Sequence, residues 1–208
     1  MIAALAFLLV PLSCAVWEKT RTHPTPVAVS NGYEPRVGDV LFQSLPHHEL
    51  IDAIEGSTRS PYSHCGIVAL DRGRWMVIEA IGPVRQTPLE QWIRQGRGGT
   101  MAAHRLHDRY GEKLDAFIAA ARTHLGKPYD TRYRLDDERI YCSELIYKAF
   151  KDATGEDMGQ LVRLGDLDWK PYESTIRKYE GGEPPLDRLM ITPRDLAKAP
   201  QLNPVFPK

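Results

Sequence analysis

A cysteine at position 142 stands near the head of "YCSELIYKAF" (141–150), and a histidine at position 64 stands in "SPYSHCGIVAL" (60–70). A thiol whose proton can pass to an imidazole is a nucleophile for acyl carbons, and a carboxylate that holds the imidazole in one tautomer completes the set. Glu79, within "WMVIEAI" (75–81), is the candidate carboxylate. In a helix opening at Cys142, the residues Cys142, Leu145, Ile146 and Ala149 share one face. The thiol then points inward from the first turn, where unpaired N–H groups and the helix dipole favour its thiolate. The competing reading is an inert core thiol, because free cysteines are commonly buried.

The elements that must position these groups are legible around them. "HCGIVAL" and "WMVIEAI" are β-rich runs on either side of "DRGR", which predicts a hairpin. With a four-residue loop, Leu70 faces Trp75, Gly66 faces Glu79 and His64 faces Ile81. His64 and Glu79 then lie on one face as diagonal neighbours, roughly 7–8 Å apart at the backbone and within side-chain reach. On an edge strand Glu79 would meet water; on a central strand it needs a donor, and His64 is available. Cys65 points to the face opposite His64 and is assigned to core packing, while Gly66 leaves space beside the imidazole. The chemistry that follows is attack of Cys142 on an acyl carbon, with His64 as base and then acid. The oxyanion would be held by the Cys142 N–H, with the hydroxyls of Tyr141 and Tyr62 as candidate second donors.

Elsewhere the punctuation is clear in places. Residues 18–35, rich in Thr, Pro, Asn and Gly, read as a tether, and 37–44 as a turn feeding a short strand. Residues 47–57 predict a short helix, 87–96 a helix capped by Thr87, and "TMAAHRL" a strand. Leu114, Phe117, Ile118, Ala121 and Leu125 form the stripe of a long helix within 111–130, closed by Gly126 and Pro128. The tail "GGEPPLDRLMITPRDLAKAP" predicts a last strand or turn and a short terminal helix. Residues 1–17, "MIAALAFLLVPLSCAVW", carry no charged side chain and read as a signal peptide, as a lipoprotein signal ending at Cys14, or as an apolar anchor. One domain is expected over 36–208.

Composition narrows the function classes. The 208 residues hold 27 Lys plus Arg and 27 Asp plus Glu, so no basic excess points to a nucleic-acid partner. Three cysteines, at 14, 65 and 142, form neither a disulfide framework nor a Cys-x-x-Cys pair. His47-His48 and His104-x-x-His107 lack a nearby cysteine or a convincing carboxylate and read as solvated surface, so no metal and no other cofactor is expected. Trp75, Trp92 and Trp169 either line a groove or belong to cores.

Taken together, "GDVLF" (38–42), "YSHCGIV" (62–68), "VIEA" (77–80), "LGKPYD" (125–130) and "YCSELIYKAF" (141–150) resemble the YiiX/YebB-like group of the NlpC/P60 superfamily, the circularly permuted papain-like cysteine hydrolases. The resemblance runs from about Val37 to Phe150. It implies an α+β papain-like fold, an antiparallel sheet with packed helices, in which the histidine strand precedes the cysteine helix. It places the family's histidine on His64, its acidic partner on Glu79 and its nucleophile on Cys142. Gly38 and Asp39 match a structural turn, and Gly126, Pro128 and Tyr129 match the segment entering the cysteine helix. The implied activity is thiol hydrolysis of an amide or peptide bond through an acyl-enzyme. A lipid-directed acyltransferase, thioesterase or lipase and a non-catalytic exported binding protein are the alternatives. A wide apolar groove beside Cys142 would favour lipid, and a narrow polar cleft peptide. The expected setting is the cell envelope, exported, periplasmic or membrane-associated through residues 1–17 or a lipidated Cys14.

Overall fold

The computed structural model describes residues 32–206, so the expectations for the apolar segment 1–17, for Cys14 and for most of the tether lie outside the described residues. Gly38, at φ +86, turns the chain into β1 (Val40–Gln43). Helix α1 (Glu49–Thr58) starts at His48, whose ring accepts the Leu50 N–H. Then come β2 (His64–Asp71) and β3 (Arg74–Ala80). Their hairpin closes through Arg72 and Gly73, both at positive φ (48 and 76), the geometry a two-residue turn needs to match strand twist. One extra pair, Asp71–Arg74, shortens the expected loop and leaves the register as anticipated, with Leu70 on Trp75 and Gly66 on Glu79.

The chain continues through β4 (Val84–Pro88), α2 (Leu89–Gln95), β5 (Ala102–Leu106), α3 (Leu114–Thr123) and α4 (Cys142–Thr154). It closes with β6 (Val162–Arg163), α5 (Glu173–Glu180), β7 (Leu189–Met190), α6 (Pro193–Ala197) and β8 (Leu202–Phe206). Six strands form one antiparallel sheet in the order β4-β3-β2-β1-β5-β8, and β6 pairs with β7 apart from it. The architecture is the mixed α+β arrangement expected, an antiparallel sheet with packed helices.

The central strands are covered on both faces, which is why β2 and β3 read as almost continuous apolar runs. On one face Phe42, Ile67 and Ile78 meet Phe117 of α3 and Leu145, Ile146 and Phe150 of α4. On the other, Leu41, Val68 and Val77 meet Leu89 and Trp92 of α2. Each such side chain contributes about 1.5–3 kcal/mol by leaving water. This two-sided burial fixes β3, and with it Glu79, in the interior.

Two expectations change. Thr87 is not a helix cap: it lies in β4, opposite Val77, and α2 starts two residues later. Helix α3 stops at Thr123, so Leu125 is 41% exposed instead of completing the stripe. Beyond it Gly126, at φ +85, turns the chain so that its N–H donates to the Val84 carbonyl. Helix α5 and strand β8 have weak signatures: α5 buries no residue fully, and β8 carries Pro204. Proline is tolerated there because β8 is an edge strand. No helix among the described residues is long and apolar enough to cross a membrane.

Candidate active site

The start of α4 is held from several sides. Tyr129 forms an isolated parallel bridge with Ile140, in which the Asp130 N–H donates to the Ile140 carbonyl (3.3 Å) and the Ile140 N–H to the Pro128 carbonyl (3.0 Å). The Tyr141 N–H donates to Glu144 (3.3 Å), the Tyr141 hydroxyl accepts the Ile191 N–H (3.1 Å), and the Ser143 hydroxyl donates to the Ile191 carbonyl (2.8 Å). These bonds fix where Cys142 begins the helix. Its own N–H is one of the first-turn donors that have no acceptor within the helix.

His64 and Glu79 meet as diagonal neighbours of β2 and β3, with His64 Nε2 2.7 Å from Glu79 Oε2 and side-chain exposures of 2% and 0%. Glu79 is on a central strand, and His64 is only one of its donors. Gln95 Nε2 donates to the same oxygen at 2.8 Å, while Arg85 Nε (3.2 Å) and the Thr87 hydroxyl donate to Oε1. Burial would raise the Glu79 carboxyl, but His64, by hydrogen bond and charge, and then Thr87 and Gln95 hold it near 2. Trp92 lies beside the imidazole, with ring centroids 5.9 Å apart. Gly66 leaves room here, because a Cβ would run into Val77 and press on the Ile78 carbonyl.

With Nε2 directed to Glu79, Nδ1 is the ring nitrogen left for the thiol. Burial lowers the imidazole's affinity for its proton, yet hydrogen bonds to Cys142 and Glu79 and the charges of both raise His64 to about 9. The Cys142 thiol falls well below its ordinary range. The hydrogen bond from the Cys65 thiol is the largest cause, burial opposes it, and His64 adds a hydrogen bond and a charge. Both shifts run in the direction of a thiolate–imidazolium pair.

Cys65 therefore corrects the sequence reading, which separated it from the site. Strand alternation does send Cys65 and His64 to opposite faces. Cys142, however, stands at the end of β2, where both side chains reach it. The β2–β3 ladder stops at Gly66–Glu79. The Cys65 N–H, one residue beyond, is free to donate to the Cys142 sulfur as well. Alternation along a strand cannot show what packs over its end.

Residues 34–206 match the family model described as "Permuted papain-like amidase enzyme, YaeF/YiiX, C92 family". The chain belongs to this family. Among curated proteins it is 32% identical over 176 residues to "Uncharacterized protein YiiX" of Escherichia coli K12, spanning 83% of this chain and 87% of the relative. Among solved structures it is similar to one titled "Crystal structure of metalloprotein yiiX from Escherichia coli O157:H7", with TM-score 0.80, 32% identity and coverage of 85% of this chain and 99% of that one. That title calls the relative a metalloprotein. In this C92 chain no group of three or more His, Cys, Asp or Glu among the described residues is placed to hold a metal ion. The family assignment supports an amidase-type hydrolase.

The other residues singled out in this C92 sequence fall as follows. The Tyr141 hydroxyl is turned away to Ile191, and its ring packs 5.0 Å from Tyr133. Tyr62 lies on Phe42 (5.4 Å), and burial raises its phenol. The tyrosine whose hydroxyl bonds to the Cys142 sulfur is Tyr129, and burial, followed by the charges of Tyr133 and Cys142, raises it well above the ordinary phenol range. Its signal in the sequence was "KPYD", read as an entry segment rather than as a donor. Gly38 turns the chain, while Asp39 is a buried acceptor for Tyr33 (2.6 Å), the Arg36 N–H (3.0 Å) and Arg105 (2.7 Å). His47 pairs with Asp52, His48 caps α1 and His107 meets Asn203. His104 is buried against Phe42 instead of solvated, which lowers its pKa. Trp92 is core, and Trp75 and Trp169 are partly buried against the two clusters.

Two cavities adjoin the site. One, of about 430 Å³, is lined by His64, Ser63, Tyr129, Tyr133 and the α1 residues Leu50 and Ile54. The other, of about 680 Å³, is largely apolar and shares Leu50, Ile54 and Tyr133 with the first. It extends past Ser143, the neighbour of Cys142, to Leu164, Ile176 and Met190.

Proposed function

We propose that this chain hydrolyses amide bonds with Cys142 as nucleophile, His64 as general base and acid, and Glu79 as the carboxylate that orients the imidazole. The observation carrying this reading is the buried His64 Nε2–Glu79 Oε2 hydrogen bond of 2.7 Å, with Cys142 as the imidazole's other partner. The thiolate attacks the acyl carbon, and the negative charge that develops on the carbonyl oxygen falls near the Cys142 N–H. The Tyr129 hydroxyl is the second donor; it is already at the sulfur and is released as the sulfur becomes bonded. His64, protonated at rest, gives its proton to the leaving amine. It then accepts one from the water that releases the acyl group. Glu79 keeps its charge throughout, since four donors satisfy it, and so stabilises the imidazolium.

A second reading is favoured by the cavity that Ser143, the chain neighbour of Cys142, lines together with Leu164, Ile176 and Met190, since that lining is largely apolar. In this reading the acyl group carries a hydrocarbon chain, and the same three residues cleave or transfer it. The non-catalytic alternative has less support, because an inert core cysteine needs neither an imidazole nor a phenol directed at its sulfur. Residues 1–17, without a charged side chain, support export or membrane attachment, the latter through that segment or through Cys14; fractionation of cells with and without Cys14→Ser would test this.

The direct test is the rate of iodoacetamide alkylation of Cys142 from acid to alkaline pH, compared with His64→Ala, followed by turnover of amides with short and long acyl chains. Fast alkylation at neutral pH, lost in the variant, together with Cys142-dependent turnover is expected. A thiol that reacts slowly at neutral pH in both proteins would overturn the assignment, and a preference for long chains would select the second reading.

A further inference from the structure

The two oxygens of Glu79 are held from different sides. Oε1 is held from β4, by the Thr87 hydroxyl and by Arg85 Nε at 3.2 Å. Oε2 takes His64 Nε2 at 2.7 Å and Gln95 Nε2 at 2.8 Å, its two donors among the described residues. Besides the imidazole itself, Gln95 is thus the group that fixes the oxygen to which the imidazole is bonded. We infer that Gln95 is a positioning residue for the proposed hydrolysis, holding Glu79 Oε2 where it orients His64. This rests on the reading of His64 as general base and acid.

The end of α2 delivers this amide to the site. Leu89 and Trp92 are buried and anchor the helix to the face of the sheet that carries Glu79. Trp92, whose ring stands beside the imidazole, and Gln95 are three residues apart and share one side of the helix. Gly96 follows at φ −68, which any residue adopts, so no left-handed turn calls for glycine there. Its use is close approach, since a Cβ would run into the buried amide of Gln43 on β1. The helix end therefore settles against the sheet with Gln95 over the carboxylate. An ionised carboxylate only accepts, so the amide must present its NH2 group to it.

The catalytic cycle makes a demand that this contact meets. A carboxylate turns easily about its last side-chain torsion. While His64 is an imidazolium, a bond charged at both ends holds Oε2. Once the Nδ1 proton has passed to the leaving amine, the imidazole is neutral and that bond is weaker. Its Nε2–H must nevertheless stay on Oε2, so that Nδ1 faces the incoming water. Gln95 keeps the acceptor in place through this half of the cycle. Thr87 and Arg85 act on the other oxygen, and the Arg85 side chain is 47% exposed.

The experiment is proton NMR of the nitrogen-15-labelled full chain at neutral pH, with His64→Ala identifying the His64 Nε2–H signal. In the wild type that signal should show a nuclear Overhauser effect to a side-chain NH2 proton of Gln95, because both protons are directed at one oxygen. Gln95→Met keeps the length of the side chain and removes the donor. It should speed exchange of the His64 Nε2–H with water by about 10–100-fold, the worth of one hydrogen bond to a charged group. It should also lower kcat on an acyl p-nitroanilide by a similar factor, with KM little changed. A wild-type His64 Nε2–H that exchanges too fast to observe, or that shows no effect to Gln95, overturns the inference without any variant. A folded methionine protein with wild-type exchange and kcat overturns it too. Slow alkylation of wild-type Cys142 by iodoacetamide would remove the hydrolase reading and this role with it, a failure separate from loss of the Gln95 contact.

Discussion

Replacing Glu79 by glutamine tests how the buried carboxylate acts on the thiol without touching it. The imidazole stands at about 9 against an ordinary 6.5. That interval corresponds to roughly 3 kcal/mol at 1.36 kcal/mol per pH unit. Cys142 and Glu79 each supply one hydrogen bond and one charge to this rise, against the opposing effect of burial. Assigning half to each gives Glu79 about 1.5–2 kcal/mol, or a roughly 10–30-fold change in the proton equilibrium. Glutamine also presents one acceptor oxygen where the carboxylate presents two, to a set of donors that includes Arg85, which cannot become an acceptor. The expected result is slower alkylation of Cys142 at neutral pH by about that factor, and an alkaline limb of turnover moved down from about 9 by roughly one pH unit. Circular dichroism and thermal melting would verify that the variant is folded. A folded Glu79→Gln protein with the wild-type alkylation profile would refute the claim that the carboxylate sets the charge of the imidazole.

Other substitutions read separate parts of the site. Tyr129→Phe should lower kcat about 100-fold, the usual cost of losing one oxyanion donor, with a much smaller change in KM; an unchanged kcat in steady-state kinetics would remove Tyr129 from the oxyanion site. Asp39→Asn leaves Arg105 and the Tyr33 hydroxyl poorly matched in the interior. It should cost roughly 3 kcal/mol and lower Tm by about 6–12 °C, measured by differential scanning fluorimetry. The folded state raises His64 from 6.5 to about 9, so its contribution to stability should be complete below pH 6.5 and fade as pH rises through about 9. Glu79 is held near 2 against 4.5, so its contribution should be present above 4.5 and fade as pH falls through about 2. Urea midpoints of wild type and His64→Ala across pH should therefore converge at alkaline pH, and a gap that stays constant would contradict this linkage.

The sequence by itself determined the local pieces. The β-rich runs on either side of "DRGR" gave the hairpin and its register, and with it the diagonal placing of His64 and Glu79, because pairing in a two-stranded turn is a local property. The inward face of α4 was equally visible in the spacing of Cys142, Leu145, Ile146 and Ala149. Tertiary structure decided what the local patterns could not carry. Thr87 resembles a helix cap and becomes a donor to Glu79 only because β4 pairs with β3. Gln95 reaches the same carboxylate because α2 folds over that face of the sheet. Cys65 points away from His64 along its strand and still meets Cys142, because α4 begins over the strand's end. Tyr129 approaches the sulfur through its bridge to Ile140, a contact between two loop segments without periodicity. Periodicity reports which face a side chain takes; which groups share a point in space depends on how the ends of elements are packed together.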